Sequence, residues 1–135
     1  RDASCTCEKP TCIEGIGRPR VEPSFVPGVI DHMIRMPDAV SLAAMRVLSR
    51  RLGRRVGGST GTNFAGMCLH AARMRASGVS GSVVTLICDS GERYANTYHS
   101  DGWLDAQGFE TASHMQAIET FLDGGPLELD FDESS

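Results

Sequence analysis

Seven consecutive residues, Ser82-Val83-Val84-Thr85-Leu86-Ile87-Cys88, carry no charge, and the six after Ser82 are apolar or β-branched. A half-exposed strand would alternate apolar and polar positions, so this run reads as a strand covered on both faces, as in a parallel sheet. Two helical patterns precede it. Pro37-Asp38 opens the first, which is expected to reach about Leu52 with Val40, Ala43, Ala44, Val47 and Leu48 on one face, and Gly53 stops it. The second is expected from about Thr62 to Ala76, with Phe64, Met67, Cys68, Ala71 and Met74 as core positions. Helix, turn, helix, strand in that order predicts an α/β layered fold.

The 135 residues suffice for one domain or one lobe of something larger, and a hydrophobic share of 41% can build a core. The net charge of −4 disfavours a nucleic-acid or anionic-membrane partner. No apolar stretch approaches the roughly 20 residues of a membrane span. Five cysteines, an odd number, make no tidy disulfide set, so reduced thiols and a cytoplasmic location are expected. The start, Arg1-Asp2-Ala3-Ser4, has neither an apolar signal core nor an initiator methionine. A processed chain or a fragment is therefore expected.

Residues 1–12 form a polar leader holding Cys5, Cys7 and Cys12, a spacing that could begin a zinc site but lacks a fourth ligand. His32, His70, His99 and His114 are scattered without ligand spacing, so neither a metal site nor a catalytic triad is expected. Residues 13–31 carry Pro19, Pro23 and Pro27 with Gly15, Gly17 and Gly28, which reads as a long ordered loop, usually a functional one. Arg46, Arg50, Arg51, Arg54 and Arg55 give the first helix a basic, solvated C-terminal end. After Trp103 the chain turns acidic, and a further helix is expected over residues 111–123, ended by Gly124-Gly125. Leu127, Leu129 and Phe131 alternate with acids as an edge strand or docking tail would. The segment from Asp130 to Ser135 should fray.

Between the two helices lies Val56-Gly57-Gly58-Ser59-Thr60-Gly61-Thr62-Asn63. A glycine-rich turn opening a helix offers bare backbone N–H groups and hydroxyls at a positive helix end, where a cofactor can dock. The same residues also make an ordinary cap, with Ser59 or Thr60 as the capping side chain. A nucleotide-phosphate loop would need a strand directly before the turn and a G-x-G-x-x-G or Walker pattern, and neither is present.

Taken in order, Glu14-Gly15-Ile16-Gly17, Phe25-Val26-Pro27, Asp31, the Gly57-Gly58-Ser59 turn, Cys88-Asp89-Ser90-Gly91-Glu92-Arg93-Tyr94 and Ser100-Asp101-Gly102-Trp103 form a recognisable series. Over residues 13–104 the chain resembles the C-terminal part of pyridoxal-phosphate enzymes of the cysteine synthase and cystathionine β-synthase family. The resemblance implies the C-terminal portion of a three-layer, tryptophan synthase β-like α/β fold, followed by an acidic helix and tail over 105–135. The continuation Arg18-Pro19-Arg20 is similar to the bacterial cysteine-desulfhydrase-like branch.

By that resemblance, Ser59 meets the pyridine nitrogen of pyridoxal 5′-phosphate, beside Gly58, Cys88 and Asp89. Gly15, Ile16 and Gly17 lie toward a small amino-acid substrate. Cys88 is expected to pack against the cofactor rather than act as a nucleophile, and Arg93 and Tyr94 to serve as anchors. A serine hydroxyl is too weak an acid to protonate pyridine, so the ring stays a weaker electron sink than an aspartate would make it, which favours prompt loss of a β-substituent. The implied chemistry is β-elimination or β-replacement on cysteine, serine or an O-activated serine through an aminoacrylate. No catalytic residue is assigned. The family's Schiff-base lysine, its ring-hydroxyl asparagine and its Gly-Thr-Gly-Gly-Thr phosphate loop have no counterpart here, and the single lysine, Lys9, lies in the leader. The chain is therefore expected to act only with an N-terminal part carrying that lysine, in a homodimer as is common in the family. The alternative is a catalytically dead remnant or interaction module.

Overall fold

A computed structural model describes residues 10–16 and 21–131 of the chain. The expectations for Cys5, Cys7, Lys9, Gly17, Arg18 and the last four residues fall outside them. Among the described residues four α-helices carry the fold: α1 (Asp38–Leu52), α2 (Gly58–Ala76), α3 (Asp101–Gln107) and α4 (Ala112–Leu122), with 3-10 turns at Pro27–Val29 and Gly91–Tyr94.

Helix α1 begins and ends where its sequence signals stand. Pro37 holds an extended conformation ahead of it, with Asp38 in the first turn, where a carboxylate favours the helix dipole. Gly53 stops it with φ +67, and Gly53 N donates to Arg50 O while Arg54 N donates to Ser49 O. That pair of bonds satisfies carbonyls the helix leaves open.

Two apolar clusters flank α1. One gathers Val40, Ala44, Val47, Phe64, Ala65, Cys68, Met115 and Ile118 between α1, α2 and α4. Leu127, Leu129 and Phe131 pack against this cluster, so the C-terminal segment docks on the core without forming an edge strand. The other gathers Ile13, Leu42, Met45, Val56, Tyr94, Tyr98 and Leu104 around the start of α2. This second cluster positions the candidate site. No helix among the described residues is long and apolar enough to cross a membrane.

The basic end of α1 is largely neutralised by partners rather than left to solvent. Arg46 pairs with Asp101 at 2.6 Å and donates to His99 O at 2.9 Å. Arg51 binds Glu119 and Asp123, and Arg55 binds Glu92. These pairs are exposed on at least one side and fix the register of α1 against α4 and the turn after residue 90 more than they stabilise the fold.

Two expectations need correction, and one helix was not foreseen. Residues 82–88 form no strand; among the described residues the only β-pairing is an isolated antiparallel bridge between Val56 and Ser90. A strand exists only through a ladder with neighbours, and the described residues supply none for this run. Helix α2 starts at Gly58 rather than at Thr62. Glycine is costly inside a helix but well tolerated at its N-cap, here Gly57, and first-turn N–H groups need no intrahelical acceptor. Helix α3 lay unrecognised behind its Ser100 N-cap, whose Oγ accepts from Trp103 N at 3.3 Å, and its stop at Gly108 with φ +74.

Candidate functional site

The N-terminus of α2 is where the separated motifs meet. Gly57 and Gly58 lie between two walls that leave no room for a side chain. A Cβ at Gly57 would stand 2.0 Å from Asp89 Oδ1, and one at Gly58 would stand 2.9 Å from the Tyr98 ring and 3.2 Å from Ile13. The glycines thus let Ile13, at the start of the upstream loop, and Asp89, after the apolar run, close on one helix end. Neither glycine has a positive φ, so the requirement is space.

Ser59 sits partly buried in the first turn of α2, and its hydroxyl has no hydrogen-bond partner among the described residues. The N-cap is Gly57, with no side-chain cap bond, so Ser59 and Thr60 are not the caps. The buried Thr60 hydroxyl instead accepts from Cys88 N at 3.0 Å and ties residues 88–89 to the helix. Cys88 itself is exposed, and its Sγ accepts from the Asn63 amide at 3.5 Å. Asp89 Oδ2 accepts from the Tyr94 hydroxyl at 2.8 Å, while Oδ1 is buried against Gly57 with no hydrogen-bond partner. A carboxylate there gains from the positive end of α2.

Two tyrosines organise the upstream loop. Their rings stack with centroids 4.6 Å apart and planes 14° from parallel. The Tyr98 hydroxyl donates to Cys12 O at 2.6 Å and accepts from Glu14 N at 3.2 Å. Asp38 completes the clamp, with Oδ2 accepting from Cys12 N at 2.6 Å and Oδ1 from the Thr11 hydroxyl. Burial, with Asp89 and Glu14 adding to it, pushes the Tyr94 phenol up from its ordinary value, and burial does the same for Tyr98. Both remain neutral donors at neutral pH. Gly15 and Ile16 extend beyond the clamp, exposed, with Gly15 at φ +85 in open space; Gly17 lies outside the described residues.

The structure therefore brings Gly58, Ser59 and Asp89 together, holds Cys88 at the rim, and leaves Gly15 and Ile16 projecting. Arg93 packs over the Tyr94 ring at 5.3 Å and reaches Glu14 at 3.4 Å, the anchoring expected of both residues. Tyr98, Asp38 and Thr60 went unnoticed in the sequence as members of this assembly. Burial, reinforced by Asp38, pushes the Cys12 thiol up to about 12, which disfavours the thiolate at neutral pH.

His99 backs the site from α1's side. Its Nε2–H donates to Val56 O at 3.1 Å, and burial lowers its pKa from 6.5, with Arg55 and Arg46 pushing the same way. The folded state thus disfavours the imidazolium, and the unfolded chain binds the proton first as pH falls. The stability contributed by neutral His99 is complete above about pH 6.5 and drains as pH drops from there through the lower folded value. Urea midpoints at pH 7.5 and 5.5 should fall more steeply for the native chain than for His99→Gln. Equal declines would show that His99 is not held neutral.

The chain is 60% identical over 109 residues to L-cysteine desulfhydrase Cds1 of Mycobacterium tuberculosis, a match covering 81% of this chain and 30% of that protein. The chain is a homologue of the cysteine synthase and cysteine desulfhydrase family. Cysteine synthase 2 of Neurospora crassa is 31% identical over 121 residues, covering 88% of this chain and 25% of the relative. N-(2-amino-2-carboxyethyl)-L-glutamate synthase of Cupriavidus metallidurans is 35% identical over 94 residues, 68% of this chain and 27% of the relative. The chain thus spans less than a third of the length of these cysteine synthase relatives. No family model matches it. Homology to this family carries an α/β fold class, although the described residues are helical.

Proposed function

We infer that this chain supplies the ring-nitrogen side of a pyridoxal 5′-phosphate site in an enzyme of cysteine metabolism. The observation that carries the reading is the Ser59 hydroxyl, partly buried at the positive end of α2 and without a partner among the described residues. An unprotonated heteroaromatic nitrogen suits a hydroxyl donor, and the glycines at residues 57–58 let Asp89, Ile13 and Tyr98 close around that helix end. The donor set at this helix end fits the group on that side. Ser59 would hold the nitrogen, Gly58 would permit close approach, and Cys88 and Asp89 would border the ring, with Thr60 fixing residue 88. Gly15, Ile16 and Gly17 would face the substrate, carried by the clamp of Tyr98 and Asp38.

Bound there, the cofactor supplies the electron sink for bond cleavage at the β-carbon of a small amino acid. The reaction is β-elimination or β-replacement on cysteine, serine or O-activated serine, and identity to the desulfhydrase favours elimination from cysteine. Residues 13–104 would form the C-terminal portion of a three-layer, tryptophan synthase β-like domain, with 1–12 as a leader and 105–135 as its closing helix and tail. The lysine-bearing polypeptide would complete the site, in a cytoplasmic homodimer.

Intact mass and absorption of the native particle test this directly. The expected result is a polypeptide mass exceeding that of this chain, with a visible cofactor band that reduction by borohydride abolishes. A colourless particle containing this chain alone would leave the interaction-module alternative standing and end the enzyme reading.

A further inference from the structure

The C-terminal end of α1 holds a cluster of positive charge that the proposed chemistry does not use. Arg46 and Arg50 stand four residues apart on one face of the helix. The left-handed turn at Gly53 then brings Arg54 and Arg55 beside them, on the walls of an open groove of about 580 Å³. Glu92 and Asp101 are the carboxylates on those walls. Four guanidinium groups against two carboxylates leave two positive charges unmatched, in a chain whose net charge is −4.

The partners identify which cations are unmatched. Arg46 is committed to Asp101 and Arg55 to Glu92. Arg50 meets a thioether, Met115 Sδ at 3.7 Å, and the Arg54 side chain has no partner among the described residues. Both side chains are exposed. Arginines at a helix C-terminus ordinarily serve its open carbonyls. Here Ser49 O and Arg50 O already accept from Arg54 N and Gly53 N, so the backbone serves them. The helix end itself contributes roughly half a negative charge, which two unmatched cations outweigh. His99, also on the groove wall, registers that field: beyond the effect of burial, Arg55 and Arg46 both act to lower its pKa.

We propose that this groove binds a small molecule bearing a chain of phosphates, gripped by Arg50 and Arg54 and flanked by Arg46 and Arg55. Planar guanidinium forks match phosphate oxygens two at a time. An exposed pair gains little from a single charge in salt, so a useful ligand carries several. The groove has the volume of a site for a small organic molecule rather than for one lone ion. It also backs onto the Gly57-Gly58-Ser59 turn. Ser49 Oγ accepts from Val56 N at 3.1 Å, Arg55 O accepts from Gly91 N at 3.2 Å, and His99 reaches Val56 O. Those bonds hold the residue next to Gly57 from behind. Ser59 and Asp89 are not on the groove walls, so the proposal stands independently of the cofactor reading.

Calorimetric titration of the native particle with inorganic triphosphate at low salt is the test. One site per copy of this chain is expected, with an affinity that falls as salt is raised. Arg50→Gln with Arg54→Gln should weaken binding at least about tenfold, since each substitution removes a charge-assisted contact. Melting of the double variant should stay close to native because both side chains are exposed. Arg51→Gln, on the side of α1 paired with Glu119 and Asp123, should bind as the native protein does. A nucleoside triphosphate titrated in parallel identifies the source: tighter binding than inorganic triphosphate assigns a nucleotide, and equal or weaker binding assigns free polyphosphate. Either result upholds the site. Absence of binding by both probes overturns the proposal, as does undiminished binding by the double variant or an equal loss in Arg51→Gln.

Discussion

Gly61→Ala should lower the stability of the chain by about 3 kcal/mol, and Gly66→Ala, one and a half turns along the same helix, should raise it by roughly 0.5 kcal/mol. At Gly61 a Cβ would stand 2.1 Å from Ser41 O, 2.6 Å from Met45 Cβ and 2.9 Å from Met45 N. Two of those atoms belong to the α1 backbone, so no rotamer change relieves the clash. The helices must separate, and Met45, Val40 and Val47 all draw their burial from that approach. Gly66 has nothing within 4 Å of its would-be Cβ, so alanine there only removes the flexibility penalty of glycine in a helix. Thermal denaturation would show the first variant lowered by about 10 °C or more. If Gly61→Ala melts with the native chain, α1 and α2 do not cross as described.

The contrast between these two glycines also marks what a sequence can disclose. Boundaries set by local chemistry were legible: Pro37-Asp38 and Gly53 define α1, and the helix expected over 111–123 before Gly124-Gly125 is α4 at Ala112–Leu122. The Gly-Gly-Ser turn was legible as a helix start, and as a candidate site only through its companion motifs, since the same residues make an ordinary cap. Which of Ser59 and Thr60 would be free was not legible, because the answer depends on Cys88 N, 28 residues away, engaging Thr60. Tyr98 was passed over for the same reason, since its hydroxyl bonds to Cys12 O across 86 residues. Nothing in a tyrosine's neighbours announces such a partner. The strand over 82–88 is the reverse case. Its residue types state a preference that the described residues cannot realise, since a ladder requires other polypeptide.

Ser59→Asp should cut turnover of the complete enzyme by about a hundredfold or more and change its absorption, while leaving the chain as stable as before within about 1 kcal/mol. The stability half follows from the helix. The first turn of α2 holds no acidic residue, and a carboxylate there interacts favourably with exposed N–H groups, offset by repulsion from Asp89 nearby. The activity half follows from acidity. A carboxylate holds a pyridine nitrogen protonated, whereas a hydroxyl only donates a hydrogen bond to it, so the substitution changes the electronic demand at the ring without unfolding its seat. Ser59→Ala separates the two effects, because it removes the donor and adds no charge; its loss should be the smaller. Spectra, turnover and melting of all three proteins measured side by side decide the matter. Native-like turnover and absorption in Ser59→Asp would mean that the free hydroxyl at the start of α2 touches no cofactor, and the assignment of Gly58, Cys88 and Asp89 around it would fall too.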